Sequence, residues 1–281
     1  MDLSKAKTLL IVAFLGLNIF LGYKVWTNPK SLRQGHVLTN EQIEEARDLL
    51  QAYGFHLQTS IPKQIPQLAL LHVARYTRPL SFWLNIFFPE CEVQERSIGQ
   101  ERLYACEHGI LMIFDNGRVT YKAKDSPTTI MESSKALAER YLREKNLWHH
   151  SLRFDQVITE GVKENFRFIQ TYQGFPLFFC VTEVYLVDGS VTDVKIDRVV
   201  PLRFAQQEVT VISALTAIEK FVAEGAQHFT NKTIVDISLG YYSQDYNASR
   251  WEVAPVWRIA AADGKAFYVN AFSGETEGSN F

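Results

Sequence analysis

Residues 254–275 read APVWRIAAADGKAFYVNAFSGE. Two aromatic-rich apolar runs, Ala254–Ala261 and Lys265–Asn270, flank Asp263-Gly264, a dipeptide suited to a tight hairpin turn. The stretch therefore predicts an antiparallel strand pair, with Val256, Trp257 and Ile259 mixing buried and exposed positions. Just upstream, Ile234–Tyr242 predicts another strand. Before it, Val211–Ala223 predicts a helix with Ala214, Leu215, Ile218, Phe221 and Val222 as its apolar stripe, closed by Gly225.

The same order recurs toward the N-terminus. A helix following Pro127 carries Met131, Ala138, Tyr141 and Leu142 on one face and ends near Asn146. Strands are predicted over Phe154–Gly161, Asn165–Tyr172, Leu177–Val187 and Val191–Val199, with turns at Gln173-Gly174 and Asp188-Gly189. An earlier helix is capped by Thr39 or Asn40, buries Ile43, Ala46, Leu49, Leu50 and Tyr53, and ends at Gly54. Leu68–Tyr76, Arg102–Glu107, Ile110–Phe114 and Arg118–Lys122 follow as strands. The aromatic run Ser81–Phe88 reads as a buried strand, with an exposed interface patch as the alternative. Helix-then-strands, three times over, places residues 39–281 in the α+β class, with a possible sub-boundary near 125–130.

Upstream of this domain the chain changes character. From Thr8 to Tyr23 there is no charged residue, and Thr8–Trp26 spans 19 residues. At ~1.5 Å per residue that is about 28 Å, close to a hydrocarbon core of ~30 Å. Lys24 can snorkel beside Tyr23 and Trp26. Leu21–Trp26 offers no small-x-small cleavage site, so the segment reads as an uncleaved transmembrane helix. Residues 1–7 form a short tail and 27–38 a juxtamembrane linker. Lys5 and Lys7 before the helix are balanced by Lys24, Lys30 and Arg33 after it, so local charge does not set orientation. A tail of seven residues is too small for a domain, which favours a cytoplasmic N-terminus. Ile11, Phe14, Leu15, Asn18, Gly22 and Val25 share one face. An amide beside a small residue there suits packing on another membrane helix at ~1 kcal/mol or so; the alternative is that Asn18 bonds its own backbone or water.

Composition is that of an ordinary globular chain: 47% hydrophobic, 21% charged, net charge −2. No cationic excess points to nucleic acid. No H-E-x-x-H, G-x-S-x-G or Walker loop is present. The adjacent pair His149-His150 does not face a single site, so a two-histidine metal centre is not expected. Cys91, Cys106 and Cys180 cannot all pair internally and read as free, mostly buried thiols, with a Cys91–Cys106 bridge as the alternative. No catalytic residue, cofactor or metal is implied.

Three stretches resemble the YycI family. They are the N-terminus, with Met1-Asp2, Lys7, Phe14-Leu15 and Leu17–Leu21; the middle, Tyr172–Phe178 followed by Val187-Asp188-Gly189; and the C-terminus, Pro255–Ile259 then Phe267–Glu275. The tryptophan strand and Y-V-N-A-x-x-G-E strand also resemble PepSY-like domains. Leu3 stands where the family opening carries tryptophan. The resemblance implies an N-terminal transmembrane helix and an extracytoplasmic domain. It implies association with a YycH-like partner and with the sensor kinase WalK (YycG), largely through membrane helices, tuning the WalK–WalR system of cell-wall metabolism. The alternative is a PepSY-like inhibitor or binding module for a protease or peptide, with the Trp257 region as working surface.

Overall fold

The computed structural model describes residues 37–98, 101–124, 134–244 and 248–280, together with Lys7, Phe14 and Asn18. Leu38–Phe281 form one compact unit. Leu38 is buried and its N–H donates to the Lys63 carbonyl at 2.8 Å, so the packed domain starts there.

Helix α1 (Asn40–Ala52) leads to strands β1 (His56–Leu57), β2 (Gln67–Leu68) and β3 (Leu71–Arg75). Helix α2 (Leu80–Phe87) precedes β4 (Gln94–Ile98), β5 (Glu101–Cys106), β6 (Gly109–Ile113) and β7 (Val119–Ala123). Helix α3 (Ser134–Glu144) precedes β8 (Leu152–Glu160), β9 (Lys163–Tyr172), β10 (Phe175–Val187), β11 (Ser190–Ile196), β12 (Val199–Phe204) and β13 (Val209–Thr210). Helix α4 (Ala214–Lys220) precedes β14 (Thr233–Tyr241), β15 (Arg250–Val253), β16 (Pro255–Ala261), β17 (Ala266–Asn270) and β18 (Thr276–Asn280).

Thirteen strands make one sheet, in the order β18-β17-β16-β14-β10-β11-β7-β6-β5-β4, with β9 and β8 branching from β10 and β1 beside β14. Strands on both sides of 125–130 therefore pair in the same sheet, β7 with β11. The domain is α+β and mostly sheet. A second sheet, β12-β3-β15, covers part of the first.

The branch in the large sheet has a local cause. Leu177 of β10 pairs with Gln170 of β9, but the next pair is Val181 with Ile169. Phe178, Phe179 and Cys180 are thus extra residues, and such a bulge bends a strand and re-aims its side chains. Before the bulge β10 touches β14 through Leu177 and Tyr241; beyond it β10 turns to β11. Gly240 permits the close approach, because a Cβ there would lie 2.5 Å from both the Phe178 ring and the Pro176 carbonyl.

Two helix pairs fill two cores. The Thr39–Gln42 capping box starts α1, which buries Ile43, Ala46 and Leu50. Full burial of Ile43 and Leu50 contributes roughly 1.5–3 kcal/mol each. Helix α1 touches β1 and shares its core with Leu68 of β2, but its main partners lie elsewhere. It joins α4 against Ile237, Trp257, Ile259, Phe267 and Val269, at the opposite end of the chain. Helices α2 and α3 pack on Leu111, Tyr121, Phe168, Val184 and Val194. The threefold order read along the chain is thus two helix pairs in space.

Several expectations need correction. Ser81–Phe88 is neither strand nor open patch: Leu80–Phe87 is helical, burying Trp83 and Phe87 one turn apart, with Phe87 stacked on Tyr121 at 4.5 Å. Val191–Val199 is two strands; β11 stops at Ile196 and β12 crosses to the second sheet. The fourth helix begins after the Ser213 cap, leaving Val211 in the preceding loop. It continues through a π-turn, Phe221–Gly225. Gly225 is needed for contact rather than for stopping, since a Cβ would meet the Phe267 ring at 2.7 Å. All seven residues of β16 are buried, because the helices cover Trp257 and Ile259 while Val256 and Ala260 meet Ile169 and Phe178. Trp257 is fully buried and donates to the Ile212 carbonyl at 3.0 Å. It cannot serve as a working surface. Cys91 and Cys106 are disulfide-bonded, their Cα atoms 6.3 Å apart where the β4–β5 register brings the two segments side by side; Cys180 is free and buried.

Replacing Trp257 with Ala should lower unfolding free energy by about 3–5 kcal/mol, read from urea midpoints. Replacing Cys91 and Cys106 together with Ala should cost about 3 kcal/mol, from release of a loop of this length. The native protein should also weigh two hydrogens less than its reduced form.

Candidate functional site

The face of β16 turned away from the helices carries Arg258, a charge in an otherwise apolar strand. Its guanidinium makes a bidentate pair with Asp155 of β8 at 2.7 and 2.9 Å and reaches Asp236 of β14 at 2.9 Å. The Arg258 and Asp155 side chains are only 9% and 4% exposed. Asp155 reaches it because β8 is bulged there: Phe154 pairs with Phe168 and Gln156 with Arg167, leaving Asp155 as the extra residue. Arg258 also lies over the Phe178 ring at 4.4 Å. Burial opposes its charge, and the two carboxylates outweigh burial, holding its pKa above the ordinary arginine value.

Next to this triad, in the angle where β10 leaves β14, is a cleft of about 330 Å³. Phe178, Phe179, Tyr242 and Tyr268 form its aromatic wall, the two tyrosines stacked at 4.0 Å. Arg118, Arg167 and Lys195 face Glu183 and Asp197 across it. Arg118 pairs with Asp197 at 3.2 Å. Glu183 is more heavily used. Asn165 donates to one of its oxygens at 3.2 Å and Tyr185 to the other at 3.0 Å. Lys195 donates to the Tyr185 hydroxyl at 2.9 Å. Arg167 Nε is left 3.5 Å from Glu183, within ion-pair range but making no hydrogen bond. The cleft is equipped to bind charge: its arginines and lysine are cations and its carboxylates are engaged.

Among the described residues, other clusters do not form a centre. Cys91, Glu107 and His108 bring three ligand-type atoms within 4.8 Å of one another, but the Cys91 sulfur is in the disulfide and has no thiolate to offer. His149 and His150 rings lie 6.5 Å apart at 82°. His149 Nδ1 is 2.7 Å from the Ser151 hydroxyl, and burial, with Arg198 adding to it, lowers the His149 pKa to about 4. No acid orients its Nε2 among the described residues, so this is not a nucleophile relay.

Of the anchor face, Phe14 and Asn18 are helical and exposed. Ile11, Leu15, Gly22 and Val25 lie outside the described residues, as does most of 8–26. Among the described residues no helix is long and apolar enough to cross a membrane. The cleft was not anticipated from sequence. Its one usable signal was Arg258, a lone charge within PVWRIAA.

Residues 111–272, more than half of the chain, match the family described as YycI protein. The chain belongs to the YycI family. All charged residues of the cleft and the whole Arg258 triad fall inside the matched YycI region. The YycI family is regulatory, attached to the WalK two-component system in general. No curated protein matches the sequence. Among solved structures, an uncharacterized protein from Eubacterium rectale is 10% identical at TM-score 0.49, over 78% of this chain and 89% of its own. The Bacillus megaterium YpeB C-terminal domain is 12% identical at 0.40, over 71% and 94%. YycH from Bacillus subtilis is 12% identical at 0.43, over 73% and 53%.

Burial pushes the Tyr268 phenol up to about 12, against the pull of Arg258. An acid raised in the folded state contributes stability below its unfolded pKa of about 10 and loses it as pH rises through the folded value. Unfolding free energy should therefore fall between pH 10 and 12, with Tyr268 accounting for about 2–3 kcal/mol. Tyr268→Phe should flatten the slope by that share in urea titrations across this range.

Proposed function

We propose that this chain is a membrane-anchored regulatory subunit that biases the sensor histidine kinase WalK (YycG) through helix contacts in the bilayer, together with a YycH-like partner. Membership of the YycI family is the observation that carries the reading. The uncharged stretch at 8–23 supports a single membrane pass. The Cys91–Cys106 disulfide supports an oxidising compartment for the domain, and so a cytoplasmic N-terminus. In this reading Ile11, Phe14, Leu15, Asn18, Gly22 and Val25 form the contact face. Gly22 lets a partner helix approach, and the Asn18 amide bonds across the interface.

Such a subunit needs little energy to act. Shifting a two-state kinase tenfold takes ~1.4 kcal/mol of differential packing, within reach of one interhelical hydrogen bond and a few close contacts. The PepSY-like inhibitor alternative depended on Trp257 as a surface residue, and Trp257 is core.

In detergent-solubilised membranes, Asn18→Leu should reduce recovery of WalK with this chain several-fold. Deletion of 40–281 should leave the helix still co-purifying. Loss of WalK on that deletion, with Asn18→Leu behaving as wild type, would refute the proposal.

A further inference from the structure

Arg167 is the least satisfied charge in the domain's cleft. The residue is 8% exposed, on β9 between Phe166 and Phe168. Its five N–H donors have few uses among the described residues. One nitrogen donates to the Gly264 carbonyl at 3.4 Å, and Nε has no hydrogen-bond acceptor. Glu183, the nearest carboxylate, is already held by Asn165 and Tyr185, and stays 3.5 Å away. A guanidinium this deeply buried is strongly favoured to be matched by acceptors, because desolvated unmade hydrogen bonds are costly. Arg258 shows the satisfied form nearby, with two carboxylates around one guanidinium.

The cleft beside Arg167 is large enough to hold more than solvent, at about 330 Å³. Three cations and two carboxylates line it, leaving one positive charge over. Arg118 and Asp197 engage each other, so the excess lies on the side of Arg167 and Lys195. The opposite wall is aromatic: Phe178 and the Tyr242–Tyr268 stack. A planar anion with an apolar neighbour complements both sides, since a guanidinium takes a carboxylate in a forked bond and an aromatic wall takes an apolar side chain.

We propose that this cleft is a carboxylate-binding site, receiving an acidic group flanked by an aromatic or aliphatic one, with Arg167 as the anchoring cation and Lys195 at the rim. The chemistry is that of an acidic side chain in an extended peptide segment or of a free small carboxylate bearing an aromatic ring. The proposal does not depend on the membrane-helix reading; an inert Asn18 leaves it untouched.

The test uses the full chain in detergent micelles and isothermal titration calorimetry. Acetyl-Phe-Glu-Phe-amide, its Gln counterpart and phenylacetate are the probes. The Glu peptide should bind saturably and at least tenfold more tightly than the Gln peptide. Lys195→Gln, at an exposed rim position, should weaken the Glu peptide two- to fivefold and leave the Gln peptide unchanged. Arg167→Met should abolish the discrimination. Phenylacetate matching the Glu peptide would assign a small-molecule source, and a preference for the peptide would assign a protein segment. Equal binding of the Glu and Gln peptides, or no saturable binding of any probe to wild type, would overturn the proposal whether or not the Arg167 variant folds.

Discussion

Arg258 ties β8 to the paired strands β14 and β16, far from it along the chain. Its guanidinium joins β16 to Asp236 on β14 and to Asp155 on β8, with the Phe178 ring beneath it. The β8–β9 branch has no backbone ladder to β16 in the sheet order, so side chains must tie these layers. Apolar contact alone, between Ile169, Phe178, Val256, Ala260 and Ala266, would hold them without choosing a register. A buried ion triad is weak evidence for stability, since desolvation offsets most of its attraction. Here its geometry accounts for position: the bulged Asp155 meets the guanidinium through both oxygens and so ties β8 to β16. The cleft inherits its shape from that arrangement, because Phe178 and Tyr268 are fixed between the triad and the cavity.

Much of the domain is legible where local chemistry decides it. Thr39 and Gln42 announce α1 through a capping box whose both halves form. Asp188-Gly189 and Asp263-Gly264 close hairpins as their dihedral needs require; Gly189 and Gly264 both have positive φ. Reading failed where tertiary context overrides the pattern. Leu80–Phe87 has only Ser81 and Asn85 as polar residues, four apart and both exposed, a helical signal too short to outweigh its aromatic, strand-like composition, and packing on Tyr121 and α3 settles it. Strand β16 looks half-wet because Arg258 interrupts it, yet its charge is neutralised inside. The Cys91–Cys106 pairing depends on the β4–β5 register, and β4 has no hydrophobic alternation to reveal it.

The cleft was still less visible, for a reason of distance along the chain. Arg167, Glu183, Lys195 and Tyr268 each sit in a strand, and Arg118 just before one, where an isolated charge or phenol looks like ordinary solvent-facing alternation. They converge only because three extra residues in β10, Phe178 to Cys180, swing that strand from β14 to β11. A regulator of the YycI family then has two surfaces of different kinds. One is the uncharged stretch at 8–23, proposed above as the membrane contact, and the other a charged, aromatic recess in the folded domain.

The placement of α1 also governs the order in which the domain can be made. Its apolar face closes against Trp257, Ile259 and Phe267, and β1 pairs with β14 across His56 and Thr233. Contacts so distant in sequence form late and slowly. A chain made from its N-terminus therefore emerges with Ile43, Ala46 and Leu50 uncovered until nearly all of it has been synthesised. For that interval the nascent segment is an amphipathic helix without a core, dependent on other surfaces or on a chaperone for cover. The last strands to appear are the ones that release it.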